Sequence, residues 1–594
     1  MANLDPPFHN ADPESRPTTV VDSSRSSFTY CEPSGSKSEA DIGVTCISSL
    51  AQESEEVAQP PVISDIARRG EEELERYGGN DVHDPPPHDH LERLGSTIPG
   101  PPEKDANMVG WDGPNDPDNP QNWSVAYKWF VTAVVILMTV NVTFCSSAPA
   151  SAASAIMKDF HVTKEVSYLT TTTFLLGYVI GPFFWGSGGE LVGRRPVFVF
   201  TMSIYTILFL GQALAPNIQT LEVTRFLGGF FAVAPLTNCG GLIADIWPAI
   251  QRGTATSIFT TMLFIGPVTG PLVSGFMLQA HVSWRWIFWV MMIFAGVCTV
   301  NIIVFLPETY APVILLKKAK KLRREDPIGA KEIYAEHEKQ DWSAKGIIHR
   351  TIFRPFLMLA MEPILTLITF YISIVYGLLY GLFQAFPIVF IDHHGFSIDH
   401  DGLIFIGVGI GTTLGSVINW RTSAHYPELM VKWRGSPPPE ERLYSAMLGS
   451  VILSISIFWF GWTGNYSSIP WYVAGISTVF IGMGISLIFM SFLSYLVDTY
   501  LMYSSSAFAA NTIVRSAVAA AFPLFTVQMF TNLGVNWACT LIGCITLVFI
   551  PCPFLFYKYG PQIRTHSRFA PCLDLQIAAE IKQEAIEKSR HQSA

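Results

Sequence analysis

From Tyr127 onward, apolar runs of about 17 to 25 residues recur between short polar stretches, each long enough as a helix to cross roughly 30 Å of hydrocarbon. Twelve such segments can be placed, at about 127–147, 168–186, 196–215, 221–244, 254–278, 285–306, 362–390, 402–419, 443–462, 471–497, 507–530 and 535–557. Helix is the form expected, because a segment in lipid must satisfy its own backbone groups. The pattern predicts an all-α membrane protein of twelve transmembrane helices. A polar loop of about fifty residues separates the sixth segment from the seventh and carries the basic run Lys317, Lys318, Lys320, Lys321, Arg323 and Arg324. The chain therefore divides into a six-helix half at 127–308, a basic central loop at 309–354, a second six-helix half at 355–559 and a tail at 560–594.

The positive charges give this pattern an orientation. If both termini are cytosolic, the inward loops hold Arg194, Arg195, Arg252, eleven basic residues between 317 and 354, four between 421 and 442, and six after 557. The outward loops hold Lys158, Lys164 and Arg285. This bias follows the positive-inside rule, and adding or removing one span would violate it. The basic run reads first as charge that retains its loop in the cytosol and second as a lipid-headgroup contact.

Composition alters the picture mainly at the N-terminus. Residues 1–126 are rich in Pro, Ser, Asp and Glu and offer too little apolar surface to offset the entropy of ordering, so they are expected to be disordered and cytosolic. With 49% hydrophobic and 14% charged residues overall, the remainder is far more apolar than a soluble domain. The net charge of −10 is spread over that segment and the loops and points to no nucleic-acid partner. No cleavable leader is recognisable, so the first span is expected to direct membrane insertion. The nine cysteines contain no C-x-x-C spacing and read as small core residues rather than metal ligands or disulfides. There is no H-E-x-x-H, G-x-S-x-G or Walker A pattern, so no enzyme site, cofactor site or direct ATP coupling is expected.

Two polar or glycine-rich motifs carry most of the functional information. Between the second and third spans lie Gly186, Glu190, Gly193, Arg194, Arg195 and Pro196, where glycines allow a tight turn, the arginines face a cytosolic surface and Glu190 offers a carboxylate partner. In the fifth span, Gly266, Pro267, Gly270, Pro271 and Gly275 give a bent helix with a smooth face, suited to a rocking interface between the two halves. The first motif resembles the loop 2–3 signature of the major facilitator superfamily, and the second resembles the antiporter motif of its drug:proton antiporters.

Further stretches narrow the resemblance to the fungal twelve-span drug:proton antiporter family, which includes multidrug and polyamine transporters. They are Asn119 to Ser124 before span one, Arg225 to Gly229 in span four, Pro307-Glu308-Thr309 after span six, Pro439 to Leu443 before span nine, and Ser504 to Ser516 opening span eleven. The resemblance implies proton-coupled efflux of drugs, toxins or secondary metabolites across the plasma membrane by alternating access. It also implies that Arg225 assists proton exchange. The candidate acids are Glu222, one turn away, with Asp245 and Asp498 at predicted cytosolic helix ends. If the charge of Arg225 outweighs its planar shape, a lysine there should keep part of the activity. The residue lies about one turn inside the predicted outer end of span four, so snorkelling to that interface is the alternative.

Substrate contacts are expected from polar and aromatic residues at the interface of the halves. Ser373, Tyr376, Tyr380 and Gln384 are spaced to form one stripe on span seven, with Asn141, Tyr178 and Asn511 as companions. Each reads equally well as a helix-to-helix hydrogen-bonding group. Relatives often carry an acid at the position of Gln384, which weakens the case for a cationic substrate there. The lining suits small amphipathic or hydrophobic organic molecules, with protons and the lipid bilayer as the other partners and a monomer as the working unit. Asn465, in Asn465-Tyr466-Ser467 of an outward loop, is a glycosylation candidate. Two alternatives are a proton-coupled uptake carrier for an organic nutrient and a non-transporting receptor; twelve spans in two halves argue against the second. A sugar porter is disfavoured by the Pro-Glu-Thr that follows span six.

Overall fold

The apolar segments emerge as helices in the computed structural model, which describes residues 107–326, 332–339 and 343–593. We label the membrane helices α1 (Val125–Ser147), α2 (Lys164–Leu191), α3 (Arg194–Ala213), α4 (Ile218–Ile246), α5 (Ala249–Gln279) and α6 (Arg285–Phe305) in the first half. The second half has α7 (Pro363–Phe386), α8 (Ile398–Thr422), α9 (Tyr444–Gly464), α10 (Trp471–Tyr500), α11 (504–533) and α12 (535–549). Among the described residues, ten helical stretches are long and apolar enough to cross a membrane. One of them, Ser504–Arg564, is broken at Gly534, whose φ of 77° cannot continue a right-handed helix, so it contains two passes. The twelfth is α2, whose four consecutive threonines, Thr170 to Thr173, lower its hydropathy although it packs among the others.

Local chemistry starts and bends these helices. Ser124 accepts a hydrogen bond from Tyr127 N at the start of α1, and Asn217 accepts one from Thr220 N at the start of α4. Pro182, Pro235, Pro267, Pro271 and Pro523 lie inside α2, α4, α5 and α11. Each removes a backbone donor, so these helices can bend around the centre. The outer surface is apolar: Val548 is 76% exposed, Ile207 67% and Val304 61%, as expected for side chains that meet lipid rather than water.

Within the first half α1 packs on α5, α2 on α4 and α3 on α6; within the second α8 and α9 pack on α10, and α7 on α11. The halves meet along two seams, α5 against α8 and α2 against α11. Where α5 crosses α8 the backbones approach closely: a Cβ on Gly275 would lie 2.9 Å from Ile398 O, and one on Gly402 would lie 2.9 Å from Pro271 O. Thr172 Oγ1 of α2 donates to Ala520 O of α11 at 3.0 Å on the other seam.

The expectation of disorder over 1–126 lies outside the described residues up to position 106. From 107 it is corrected, because this stretch forms a strap on the face that bears the central loop. Met108 pairs with Tyr334 in an isolated β-bridge, with Val109 N donating to Tyr334 O at 2.9 Å. Asp116, 6% exposed, caps the backbone N–H groups of Asp112 and Asp118 and faces Lys318 at 3.4 Å, while Lys318 also reaches Asp112 at 2.7 Å. Those backbone donors, reinforced by Lys318, hold the Asp116 carboxyl below its ordinary value. The basic run itself forms the amphipathic helix Ala311–Glu325, with Val313 and Ala319 buried beneath it. The tail is likewise folded against the second half. Arg564, 1% exposed, is held between Glu440 (2.9 and 3.0 Å) and Asp574 (2.7 and 2.8 Å), and buried Glu362 accepts from Ser567 Oγ and Arg568 N.

Candidate functional site

The turn between α2 and α3 becomes a charge lock. Gly193 has φ 108°, a conformation that favours glycine, and a side chain there would strike the carboxylate of Glu308. Glu308 instead caps the turn, accepting Arg194 N at 2.9 Å and Thr309 N and Tyr310 N at 3.1 Å. Arg194 is 8% exposed: its guanidinium lies 3.4 Å from Asp245, donates to Asn238 Oδ1 at 2.8 Å and sits 4.9 Å from the Tyr310 ring centroid.

This corrects the sequence expectation for the motif. Arg194 turns inward to Asp245 instead of facing the surface, whereas Arg195 donates to Ile303 O at 3.0 Å. The Glu190 carboxylate lies within electrostatic reach of Arg194, while its backbone carbonyl ties across to the central loop, 3.2 Å from His337 Nε2. Gly186 has open space around it, so no close approach demands its lack of a side chain. The second half repeats the device: Arg442, before α9, meets Asp498 of α10 at 2.8 Å and stacks 3.3 Å from the Tyr426 ring centroid, while Tyr426 donates to Asp498 at 2.7 Å.

The motif glycines of α5 divide between two neighbours. Cβ atoms on Gly266 and Gly270 would each lie 2.8 Å from α1 backbone or its continuation, at Val140 O and Ala148 N. These two glycines therefore pack within the first half. The backbone around Pro271 and Gly275 meets α8 of the opposite half, as does the side chain of Val268, 3.1 Å from where a Cβ on Gly409 would lie. The expectation that the whole face forms the interface between halves is corrected accordingly. Pro267 lies within the same helix, between the two glycines that meet α1.

Arg225 of α4 is fully buried, which removes the snorkelling alternative. Its Nε donates to Thr170 O of α2 at 2.8 Å, its Nη1 to Cys145 O of α1 at 3.0 Å, and its guanidinium lies 4.2 Å from the Phe174 ring centroid. Glu222, one turn away, is within electrostatic reach of Arg225 and accepts Thr173 Oγ1 at 2.7 Å through Oε2, leaving a buried Oε1 without a partner. Asp245 is engaged with Arg194 and Asp498 with Arg442, each at the other end of its helix.

Between the halves lies a buried belt of polar and aromatic groups. Tyr380 Oη is 2.8 Å from Ser146 Oγ of α1 and 3.4 Å from Tyr376 Oη, while Tyr178 of α2 donates to Val142 O at 3.3 Å. Ser373 donates to Thr369 O in its own helix, and Asn511 Nδ2 reaches Thr369 Oγ1 at 3.4 Å. Both side-chain amide atoms of Asn141 and of Gln384 are buried without a hydrogen-bond partner, as is Asn511 Oδ1. Buried polar atoms are costly to leave unpaired, so these groups are suited to a solvent or ligand partner. Arg515 of α11, 6% exposed, lies 4.6 Å from the Tyr376 centroid and 4.9 Å from that of Phe489. Sequence reasoning quoted this arginine within a motif without giving it a role; a charge about 17 Å into an apolar helix was the available signal. Asn238 and Ser146 were not singled out, and Glu308 stood only within Pro307-Glu308-Thr309 without a role, because their partners are distant in sequence. Asn465 caps α9, half-buried, with its carbonyl 3.2 Å from His393 Nδ1.

Two six-helix halves, an inter-half polar belt and a charge lock in each half define a transporter-type membrane protein. The sequence model of the Major Facilitator Superfamily matches residues 134–523. The chain belongs to that superfamily. It is 40% identical over 488 residues, 80% of its own length and 93% of the relative's, to the ascochitine biosynthesis cluster MFS transporter of Didymella fabae. It is 40% identical over 473 residues, 79% of its length and 93% of the relative's, to a citrinin biosynthesis cluster MFS transporter of Monascus ruber. It is also 42% identical over 471 residues to the MFS-type efflux pump MFS2 of Trichophyton rubrum, covering 79% of this chain and 78% of that one. Among solved structures, the proton:xylose symporter XylE superposes with a TM-score of 0.55 at 16% identity, over 74% of this chain and 96% of that one, which supports the shared fold.

Proposed function

We propose that this protein exports small amphipathic organic compounds, drugs or secondary metabolites, in exchange for protons at the plasma membrane. It works as a monomer by alternating access with both termini cytosolic. The observation that carries this reading is the division of the small residues of α5: Gly266 and Gly270 bind it tightly to α1, while Pro271 and Gly275 bring it against α8. The helix can then move with its own half while sliding on the other, and its motif resembles that of antiporters. Similarity to an efflux pump and to transporters of biosynthesis clusters supports the outward direction.

In this reading, Glu222 is the coupling acid and Arg225 sets its field. The Asp245–Arg194 and Asp498–Arg442 pairs are assigned to locking the central-loop face. The residues Asn141, Tyr178, Ser373, Tyr376, Tyr380, Gln384 and Asn511 line the path of the substrate.

The test uses sealed vesicles of known orientation carrying the protein, with an imposed pH gradient. Export predicts substrate movement opposite to protons and a matching pH change when substrate is added. Glu222→Gln should abolish the pH dependence while substrate exchange without a gradient persists. Movement of substrate in the same direction as protons would establish the uptake alternative and overturn the proposal.

A further inference from the structure

Arg515 and Arg225 are both buried guanidinium groups near the seam between the halves, yet their surroundings differ. Arg225 donates from Nε and Nη1 to two backbone carbonyls, of α2 and α1, and only its buried Nη2 lacks a partner. Among the described residues Arg515 makes no hydrogen bond or ion pair, and its buried Nε lacks a partner. The titratable groups within electrostatic range of it are the neutral phenols of Tyr376, Tyr380 and Tyr178, with no carboxylate among them. Two aromatic faces partly offset the cost of burying this cation, but aromatic faces do not satisfy N–H donors.

A buried charge without a counter-ion is costly, and in a membrane protein it marks a ligand site by default. Here the surroundings state what the ligand must bring. Tyr376 and Phe489, their ring centroids 6.1 Å apart, supply adjoining apolar surfaces beside the guanidinium, and Phe264 of α5 extends that surface into the first half, its ring centroid 5.1 Å from that of Phe489. One turn before Arg515 on α11, Asn511 Oδ1 is buried and unpaired. A cationic compound would meet an uncompensated positive charge. A phosphate would call for further free cations, whereas two of the three nitrogens of Arg225 are committed to carbonyls.

Resting on the transport reading above, we propose that Arg515 is the anion-recognition residue of the central site, and that the substrates are aromatic or polycyclic organic monoanions, carboxylates above all. The guanidinium fork takes the carboxylate and the rings of Tyr376 and Phe489 take the apolar body.

The test is binding to the purified full-length protein in detergent, measured by calorimetry without any gradient, so that its outcome is independent of transport direction and proton coupling. The probes are benzoate, 1-naphthoate and 4-phenylbenzoate, each compared with its methyl ester and with the corresponding arylmethylamine. Wild-type protein is expected to bind at least one acid tenfold or more tightly than its ester and its amine. Arg515→Gln should abolish that preference while keeping the ester affinity within about twofold, which also reports a folded site. Should Arg515→Gln fail to fold, Arg515→Lys decides: its single ammonium should reduce the acid-over-ester preference at least threefold. Preference for ester or amine, absence of binding by all three acids, or an acid preference unchanged in the folded variant would overturn the proposal. Vesicle transport of the acid that binds then tests direction separately, so a failure of export leaves the anion site standing.

Discussion

Pro149 has no N–H to donate to the carbonyl of Cys145, four residues earlier in the chain, and Arg225 supplies the missing donor. This links a helix-ending proline in one helix to a buried charge in another, and it makes the shape of the guanidinium matter as much as its charge. The expectation that lysine would substitute in part therefore changes. One ammonium cannot reach Cys145 O and Thr170 O in the same geometry while stacking on Phe174. We predict that Arg225→Ala and Arg225→Lys both lower the thermal stability of the detergent-purified protein. The alanine variant should be the weaker by about 1–3 kcal/mol relative to wild type, the cost of a buried polar group left unsatisfied. Wild-type melting and proton-driven transport in Arg225→Lys would show that charge alone suffices.

Helix α5 carries two functions on different sides, with Gly275 about 140° around the helix from Gly270, and substitutions should separate them. A leucine at Gly270 would press on Ala148 N and Phe144 O, inside a half that must stay rigid, so Gly270→Leu is expected to lower folded abundance as well as transport. A bulkier residue at Gly275 meets Ile398 O across the seam. Gly275→Val should leave folded abundance near wild type and slow transport by tenfold or more; equal effects of both substitutions on abundance would contradict the division. The strap at 107–122 offers a pH-dependent case outside the membrane. Because the folded-state pKa of Asp116 is depressed, its contribution is fully present above the unfolded carboxylate value of about 3.9 and is lost as pH falls through the folded value. Limited proteolysis of the strap should therefore be unchanged between pH 7 and 5. Asp116→Asn should accelerate it at pH 7, and unchanged cleavage in that variant would remove the carboxylate from the account.

Across the whole molecule, the two halves place the central loop, the strap and the tail on one face, and the α9–α10 connection with Asn465 at the other end of those helices. In a variant lacking other reactive cysteines, Ser436→Cys should label with an impermeant reagent only from the cytosol and Ser467→Cys only from outside. Labelling of both from the same side would refute the twelve-pass arrangement.

The length and spacing of apolar runs determined the number of passes, because hydrocarbon imposes a fixed span and internal backbone hydrogen bonding on any segment that crosses it. Motif spacing also located the tight turn at Gly193 and the small-residue face of α5, both properties of adjacent residues. Partner choice was not legible. Arg194 meets Asp245, 51 positions away, in preference to nearby Glu190, and its N–H is capped by Glu308, 114 positions away. Likewise, only packing decided that Gly270 faces α1 while Gly275 faces α8, and that Arg225 finds two carbonyls where Arg515 finds none. Helical periodicity says which residues share a face, but which neighbour that face meets depends on how twelve helices fill one volume, and that is decided by contacts between residues remote in the chain.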